Sequence, residues 1–239
     1  MDLIGLVIHL ERATDRRARA EALVAELPDA NLLPAVDGAA LSPDARGRAF
    51  RPGLLKPAYP FDLRPGEIGC FLSHRTAWAM LVESRANAAL IVEDDMALDD
   101  NFSDALELAK RHVDRIGYVQ FQTRSVAAPE IDRHGNCILT RPVVTPLRTS
   151  GQLVSRRAAE RLLDLTEPFD RPVDTFLQMH WYTGIQLGAI SPSGLVDQTQ
   201  AIGGSTISGR KSLGNRLIRE WKRARYRAAV RRLSRDNTA

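Results

Sequence analysis

The chain has 239 residues, 44% hydrophobic and 26% charged. That composition suits one large soluble domain, or one domain with an appendage, and excludes disorder or coiled coil over most of the length. Lys and Arg total 33 against 29 Asp and Glu, but eleven basic and two acidic residues fall from Ile207 onward, so residues 1–206 carry −5 and the tail +9. An acidic body with a basic tail is not a domain built throughout for phosphate contact, so no nucleic-acid partner is expected of the body.

The run Leu3-Ile4-Gly5-Leu6-Val7-Ile8-His9-Leu10 reads as a buried strand. Ala20, Leu23, Val24 and Leu27 recur at helical spacing before Pro28 ends the helix. Leu32–Val36 is a second strand. Ser42–Pro65, rich in Pro and Gly, is expected to be a long mobile loop. Pro65 to about Glu83 is a helix with Pro in its first turn. Ala88–Val92 is a short buried strand that runs into Glu93-Asp94-Asp95. Phe102–Val113 is helical and Tyr118–Gln122 a strand. Ile131–Leu147 is a hairpin around His134-Gly135-Asn136. Gly151–Ser155 is a strand, Arg157–Leu165 a helix, Val173–Trp181 helical, and Ile185–Ile190 a last strand. Strands alternating with helices predict an α/β fold with a mainly parallel central sheet.

Several chemistries are missing. The sequence has no G-x-G-x-x-G after the first strand, no P-loop, no H-E-x-x-H and no G-x-S-x-G. No apolar run approaches the roughly 20 residues that span a bilayer, and Met1–Gly5 lacks the basic region of a secretory signal. Cytoplasmic residence with both thiols reduced is therefore expected. Cys70 and Cys137 are too few for a cysteine-based zinc site.

The strongest chemical signal is Glu93-Asp94-Asp95 at a strand end, where α/β sheets bind ligands. Three adjacent carboxylates repel one another unless a cation offsets them. A hard divalent ion, Mn²⁺ or Mg²⁺, suits such oxygens together with substrate phosphates. A solvated acidic turn ahead of the next helix is the competing reading. Arg12, Arg16 and Arg17 follow the first strand, where a guanidinium can pair with a phosphate or simply be solvated. Glu67 and His74 lie seven apart and share a helical face with Cys70 between them; Glu67 could orient His74. Asp174 opens a helix after Pro172-Val173, as an N-cap or as a reactive carboxylate. His180-Trp181-Tyr182 is either a sugar platform or a core cluster.

Four segments in order carry a resemblance. They are Val7-Ile8-His9-Leu10-Glu11-Arg12 with Asp15-Arg16-Arg17, then Gly66-Glu67-Ile68-Gly69-Cys70-Phe71-Leu72-Ser73-His74, then Val92-Glu93-Asp94-Asp95, then Ser155–Leu163 through to Pro172-Val173-Asp174. Together they resemble glycosyltransferase family 25, the lipopolysaccharide (lipooligosaccharide) β-galactosyltransferases related to the collagen galactosyltransferases, over roughly residues 3–207. His9 departs from the Asn or Ser usual there. The resemblance implies a GT-A-like fold and an inverting hexosyltransferase using a nucleotide-sugar donor, most simply UDP-galactose. It implies a glycan acceptor on a lipopolysaccharide core, hence lipid-linked. It implies Asp94 and Asp95 as metal ligands, Arg12, Arg16, Glu67, Ser73, His74 and Glu93 around the donor, and Asp174 as general base. A non-catalytic nucleotide-sugar or glycan-binding protein of the same fold stays open, as does a nucleic-acid-associated protein working through its tail.

The predicted division is a transferase domain over 1–206 and a basic amphipathic tail over 207–239. In the tail, Leu213, Leu217, Trp221, Ala224 and Ala228 fall on one helical stripe, with Arg216, Arg219, Lys222, Arg223 and Arg227 outside it. Such a helix over 213–233 fits an anionic membrane surface, which would make the protein peripheral on the inner face of the cytoplasmic membrane. Packing of the same helix on the body is the alternative.

Overall fold

The computed structural model describes residues 1–185, 187–198 and 213–237, with side chains of the last segment from residue 218. The predicted boundary at 206/207 and the residues Leu213, Arg216 and Leu217 of the predicted tail pattern lie outside what is described at side-chain level.

The strands are β1 (Leu3–His9), β2 (Ala30–Pro34), β3 (Ala88–Glu93), β4 (Met96–Leu98), β5 (Tyr118–Phe121), β6 (Glu130–His134), β7 (Cys137–Thr140), β8 (Gly151–Ser155), β9 (Leu187–Ser191) and β10 (Leu195–Asp197). The α-helices are α1 (Arg17–Glu26), α2 (Pro43–Ala49), α3 (Pro65–Glu83), α4 (Phe102–Ile116), α5 (Arg156–Leu165), α6 (Val173–Leu177), α7 (His180–Thr183) and α8 (Leu213–Asp236). Eight strands form one sheet in the order β2-β1-β3-β8-β5-β9-β7-β6, and β10 pairs with β4 in a separate ribbon. The pairings β1–β2, β1–β3 and β5–β9 are parallel, whereas β8 and β7 run against their neighbours. Six of the eight strands therefore point one way, and the mainly parallel α/β expectation holds.

Period-two alternation divides the core into two layers. Leu6, Ile8, Ala89, Ile91, Tyr118 and Val154 face one side and pack with Phe71, Trp78 and Leu162 of α3 and α5. Val7, Leu90, Val92, Val119 and Leu153 face the other and pack with Leu23 of α1 and Ala105, Leu108 and Val113 of α4. Both faces of the sheet are thus covered, which is why β1 and β3 read as nearly continuous apolar runs.

Two expectations are corrected. The segment 42–65 is not one loop. It holds α2, started by Ser42, whose hydroxyl oxygen accepts from the Ala45 amide at 3.1 Å, with Pro43 in the first turn. The helical stretch Val173–Trp181 is two short helices, α6 and α7, broken around Gln178 and Met179.

The tail is helical, and the face it packs on the body is a different one from the Trp221 stripe. Trp221, Ala224 and Ala228 are exposed, while Tyr226, Val230 and Ser234 are buried. Those three are spaced at i, i+4 and i+8, one helical face. The choice is made by particular partners. The Tyr226 hydroxyl meets the Arg171 guanidinium at 3.0 Å, its ring meets Tyr59 edge-on at 5.5 Å, and Arg219 lies over Phe61 at 5.0 Å.

Candidate active site

Topology sets the site. Parallel β1 and β3 end side by side, with Ile8 opposite Glu93. Antiparallel β8 begins at this same edge, so Arg148, Thr149 and Ser150 arrive beside the acidic segment, and the Glu93 amide donates to the Ser150 carbonyl at 2.9 Å. Alternation then sorts the carboxylates. Glu93 continues the face of Ala89 and Ile91 toward α3. Asp94 continues the face of Leu90 and Val92, where His9 also lies.

Two cavities of about 530 Å³ each open at this edge. One is lined by Tyr59, Glu67, Arg148, Thr149, Asp174 and Asp197. The other is lined by Arg12, Arg16, Asp37, Ser73, His74 and Asp94. Gly66, Cys70, Glu93 and Asp95 line both, so they form the wall between them.

Glu93 is held from the α3 and β8 sides. Its Oε1 accepts from the Thr149 hydroxyl at 3.0 Å and faces His74 Nε2 at 3.4 Å. Burial alone pushes this carboxyl up. The His74 hydrogen bond and charge, Thr149 and nearby Arg148 outweigh burial and hold it below the usual glutamate range. His74 is fully buried, and its Nδ1 meets Gln152 Nε2 at 2.9 Å. Gln152 in turn accepts from the Tyr118 hydroxyl. A chain Tyr118–Gln152–His74–Glu93–Thr149 therefore runs from the core to the cavity wall.

Asp94 is held from the other side. His9 Nδ1 lies 2.7 Å from Asp94 Oδ2, and Arg16 Nη1 lies 3.4 Å from Oδ1. The departure at His9 thus gives an aromatic partner to a carboxylate of the acidic segment. Arg12 reaches Asp37 at 2.7 Å across the mouth of the same cavity. Arg17 pairs with Glu21 on the surface and lines neither cavity.

The motif of α3 has two kinds of residue. Ser73 is structural: its hydroxyl donates to the Gly69 carbonyl and accepts from the Val36 amide, both at 2.8 Å. Glu67 accepts from the Arg64 amide at 2.8 Å, which closes the start of α3, while its side chain lines the first cavity. His74 is oriented by Gln152 and not by Glu67. Gly69 allows the chain after β2 to cross α3 backbone to backbone, since a Cβ there would stand 2.4 Å from the Val36 carbonyl oxygen.

A family model described as glycosyltransferase family 25 (LPS biosynthesis protein) matches residues 3–177. The chain belongs to glycosyltransferase family 25. A Drosophila melanogaster protein named glycosyltransferase 25 family member is 31% identical over 185 residues, 72% of this chain and 30% of that protein. Procollagen galactosyltransferase 1 of Danio rerio is 31% identical over the same shares. Procollagen galactosyltransferase 1-B of Xenopus laevis is 33% identical over 186 residues, 72% of this chain and 30% of that protein. The chain thus spans about 30% of the length of these relatives. Among solved structures, mannose-1-phosphate geranyltransferase from Thermus thermophilus is a distant likeness, with a TM-score of 0.38 at 12% identity over 81% of this chain and 77% of that one.

The family-25 motifs all reach the two cavities, but the cavity opposite Arg12 and Arg16 is completed by residues that sequence reasoning passed over. Arg148 has φ of 88°, a left-handed backbone rare outside glycine. Its guanidinium pairs with Asp197 at 2.6 Å and reaches the Thr123 hydroxyl at 3.3 Å, and its amide faces Asp174 Oδ2 at 3.4 Å. Asp174 Oδ1 also accepts from the Thr175 amide at 2.6 Å. Gln152 had a signal in the sequence, a fully buried amide inside an apolar strand. Arg148 and Thr149 had none, because their arrival depends on β8 running antiparallel. Trp181 is half-buried and Tyr182 exposed, with Tyr182 edge-on to Phe176 at 6.2 Å, and neither lines these two cavities.

Proposed function

We propose that this chain is a metal-dependent, inverting hexosyltransferase on a GT-A-like fold. The observation that carries the reading is the shared wall of Glu93 and Asp95 between one cavity lined by Arg12 and Arg16 and another that presents the Asp174 carboxylate. A nucleotide-diphosphate sugar, most simply UDP-galactose, occupies the Arg12 and Arg16 side, where guanidinium groups can pair with phosphate. The acceptor glycan occupies the Asp174 side.

Glu93, Asp94 and Asp95 all line the donor cavity, and carboxylate oxygens are the ligand type that Mn²⁺ or Mg²⁺ takes. Asp94 and Asp95 would hold the ion, which supplies Lewis-acid stabilisation of the departing diphosphate. The protein's own part is positioning and proton transfer. Arg16 and His9 hold the Asp94 carboxylate in place. Thr149 and His74 keep Glu93 ionised at the divide. Asp174, fixed by the Thr175 and Arg148 amides, takes the proton from the acceptor hydroxyl as it attacks. Asp94→Ala and Asp95→Ala should each abolish Mn²⁺-dependent donor turnover. Asp174→Asn should lower transfer by two or more orders of magnitude, in keeping with the usual roughly 10²–10⁴-fold worth of a general base. Near-normal transfer by Asp174→Asn would remove it from that role.

A lipid-linked acceptor, such as a lipopolysaccharide core, is favoured by α8. Ile218 and Trp221 are 56% and 62% exposed, and Lys222, Arg225 and Arg227 are exposed beside them. The body covers the Tyr226 face, so this second, basic and apolar face is left for an anionic membrane surface. Among the described residues no helix is long and apolar enough to cross a membrane, so the association is peripheral. Flotation with anionic vesicles should be strong for the full chain and weak for Ile218→Ser/Trp221→Ser. Equal flotation would refute the docking.

A further inference from the structure

The wall between the cavities holds a donor set of a different chemical kind from the acidic segment. Cys70 and His74 are one helical turn apart on α3, and Glu93 meets them from the end of β3. One donor atom from each, a sulfur, an imidazole nitrogen and a carboxylate oxygen, lies within 4.8 Å of the other two. Among the described residues this is the one such trio of His, Cys, Asp and Glu.

We propose that Cys70, His74 and Glu93 form a three-ligand site for a borderline-soft divalent transition ion of the zinc class, with its fourth position open to the cavities. The spacing supports this. His74 Nε2 and Glu93 Oε1 are 3.4 Å apart, long for a charge-assisted hydrogen bond, which runs about 2.7–2.9 Å. A tetrahedral ion with bonds of about 2.0–2.2 Å to nitrogen and oxygen separates those two ligands by about 3.3–3.4 Å. The gap matches the edge of such a tetrahedron. Paired ligands at i and i+4 on a helix, completed by a third from elsewhere, are a familiar way to build such an edge.

The surroundings are also those of a ligand set. A metal-bound imidazole keeps its other nitrogen protonated and donates it to an acceptor. Gln152 stands 2.9 Å from His74 Nδ1. With its amide turned over, its oxygen accepts from Nδ1–H while its nitrogen donates to the Tyr118 hydroxyl oxygen. Thr149 fixes Glu93. Burial and the carboxylates of Glu93, Asp174, Glu67 and Asp95 push the free Cys70 thiol up. A cation at the trio offsets that same negative field and takes up the thiolate. Two cysteines are too few for an all-cysteine zinc site, but a mixed set needs only one. Chemically the site is separate from the Asp94–Asp95 pair, since sulfur and imidazole select ions that hard carboxylate sites do not.

Cobalt(II) is the probe, because its absorption reports both the ligand type and the coordination number. Titration of the full chain with Co²⁺ should give a thiolate-to-cobalt band in the near ultraviolet that saturates at one equivalent of this site, with the visible bands of a four-coordinate ion. Zn²⁺ should displace it. Cys70→Ser should abolish the thiolate band, and His74→Gln should weaken binding about tenfold or more. Asp94→Asn, which removes none of the three ligands, should leave the thiolate band unchanged. Cys70 reaches the surface, so its serine variant should fold, as circular dichroism would verify. No thiolate band in the wild type, or a band that survives in Cys70→Ser, overturns the proposal. Neither outcome depends on whether the chain transfers sugar.

Discussion

Arg171→Leu should be among the most damaging single changes outside the cavities. Arg171 and Asp170 are completely buried side by side, with guanidinium-to-carboxylate distances of 2.6 and 3.1 Å. The same guanidinium donates to the carbonyls of Leu55 and Pro57, each at 3.2 Å, and to the Tyr226 hydroxyl at 3.0 Å. Asp170 also accepts from the Leu55 amide at 2.9 Å. The pair therefore ties the 55–57 segment and the C-terminal helix to the start of α6. Leucine leaves the Asp170 charge buried without its partner, at a cost of about 3–5 kcal/mol. For a domain of this size a loss of 1 kcal/mol lowers Tm by about 2–4 °C. The expected fall is therefore about 6–20 °C, measured by scanning calorimetry or by circular dichroism with a urea titration alongside. Adding Asp170→Leu should recover part of the loss, because it removes the stranded charge. A fall under about 2 °C for Arg171→Leu, or no recovery in the double variant, would refute the reasoning.

Other outcomes follow from single contacts. Gly69→Ala places a Cβ 2.4 Å from the Val36 carbonyl oxygen and 2.7 Å from the Gly38 amide nitrogen, both backbone atoms. It should cost about 1–3 kcal/mol by overpacking, read as a lower midpoint in urea. Tyr59 is pushed up to about 12 by burial first and then by Glu67 and Asp174. Because the folded value is the higher one, the stability it contributes is complete below the ordinary tyrosine value of 10 and is lost as pH rises toward 12. Tyr59→Phe should flatten that alkaline loss, and an unchanged alkaline limb would contradict the assignment.

Much of the fold was legible because it is local. The helix at 65–83 and the strands at Leu3–His9 and Gly151–Ser155 are written in apolar period, proline placement and β-branched runs. The acidic segment was legible for the same reason, since it interrupts a buried strand at its end. The direction of β8 was not, because a short buried strand looks alike in either orientation. With it went Arg148 and Thr149, which enter the site only because β8 starts where β1 and β3 stop. The face of α8 that packs on the body was not legible, because hydrophobic period marks only the Trp221 stripe. Specific partners for Tyr226, namely Tyr59 and Arg171, decide the packing instead. The Cys70–His74–Glu93 trio was half legible: the helical spacing of the first two is in the sequence, and the third arrives through tertiary structure alone.

Whether the two cavities divided by Glu93 and Asp95 carry out sugar transfer from a nucleotide donor is read directly by release of nucleoside diphosphate from a panel of nucleotide sugars, with and without Mn²⁺, by the wild type and by Asp95→Ala. Metal-dependent release from a UDP-hexose, lost in Asp95→Ala, is the expected result. No release from any nucleotide sugar, or equal release by the wild type and Asp95→Ala, would contradict it.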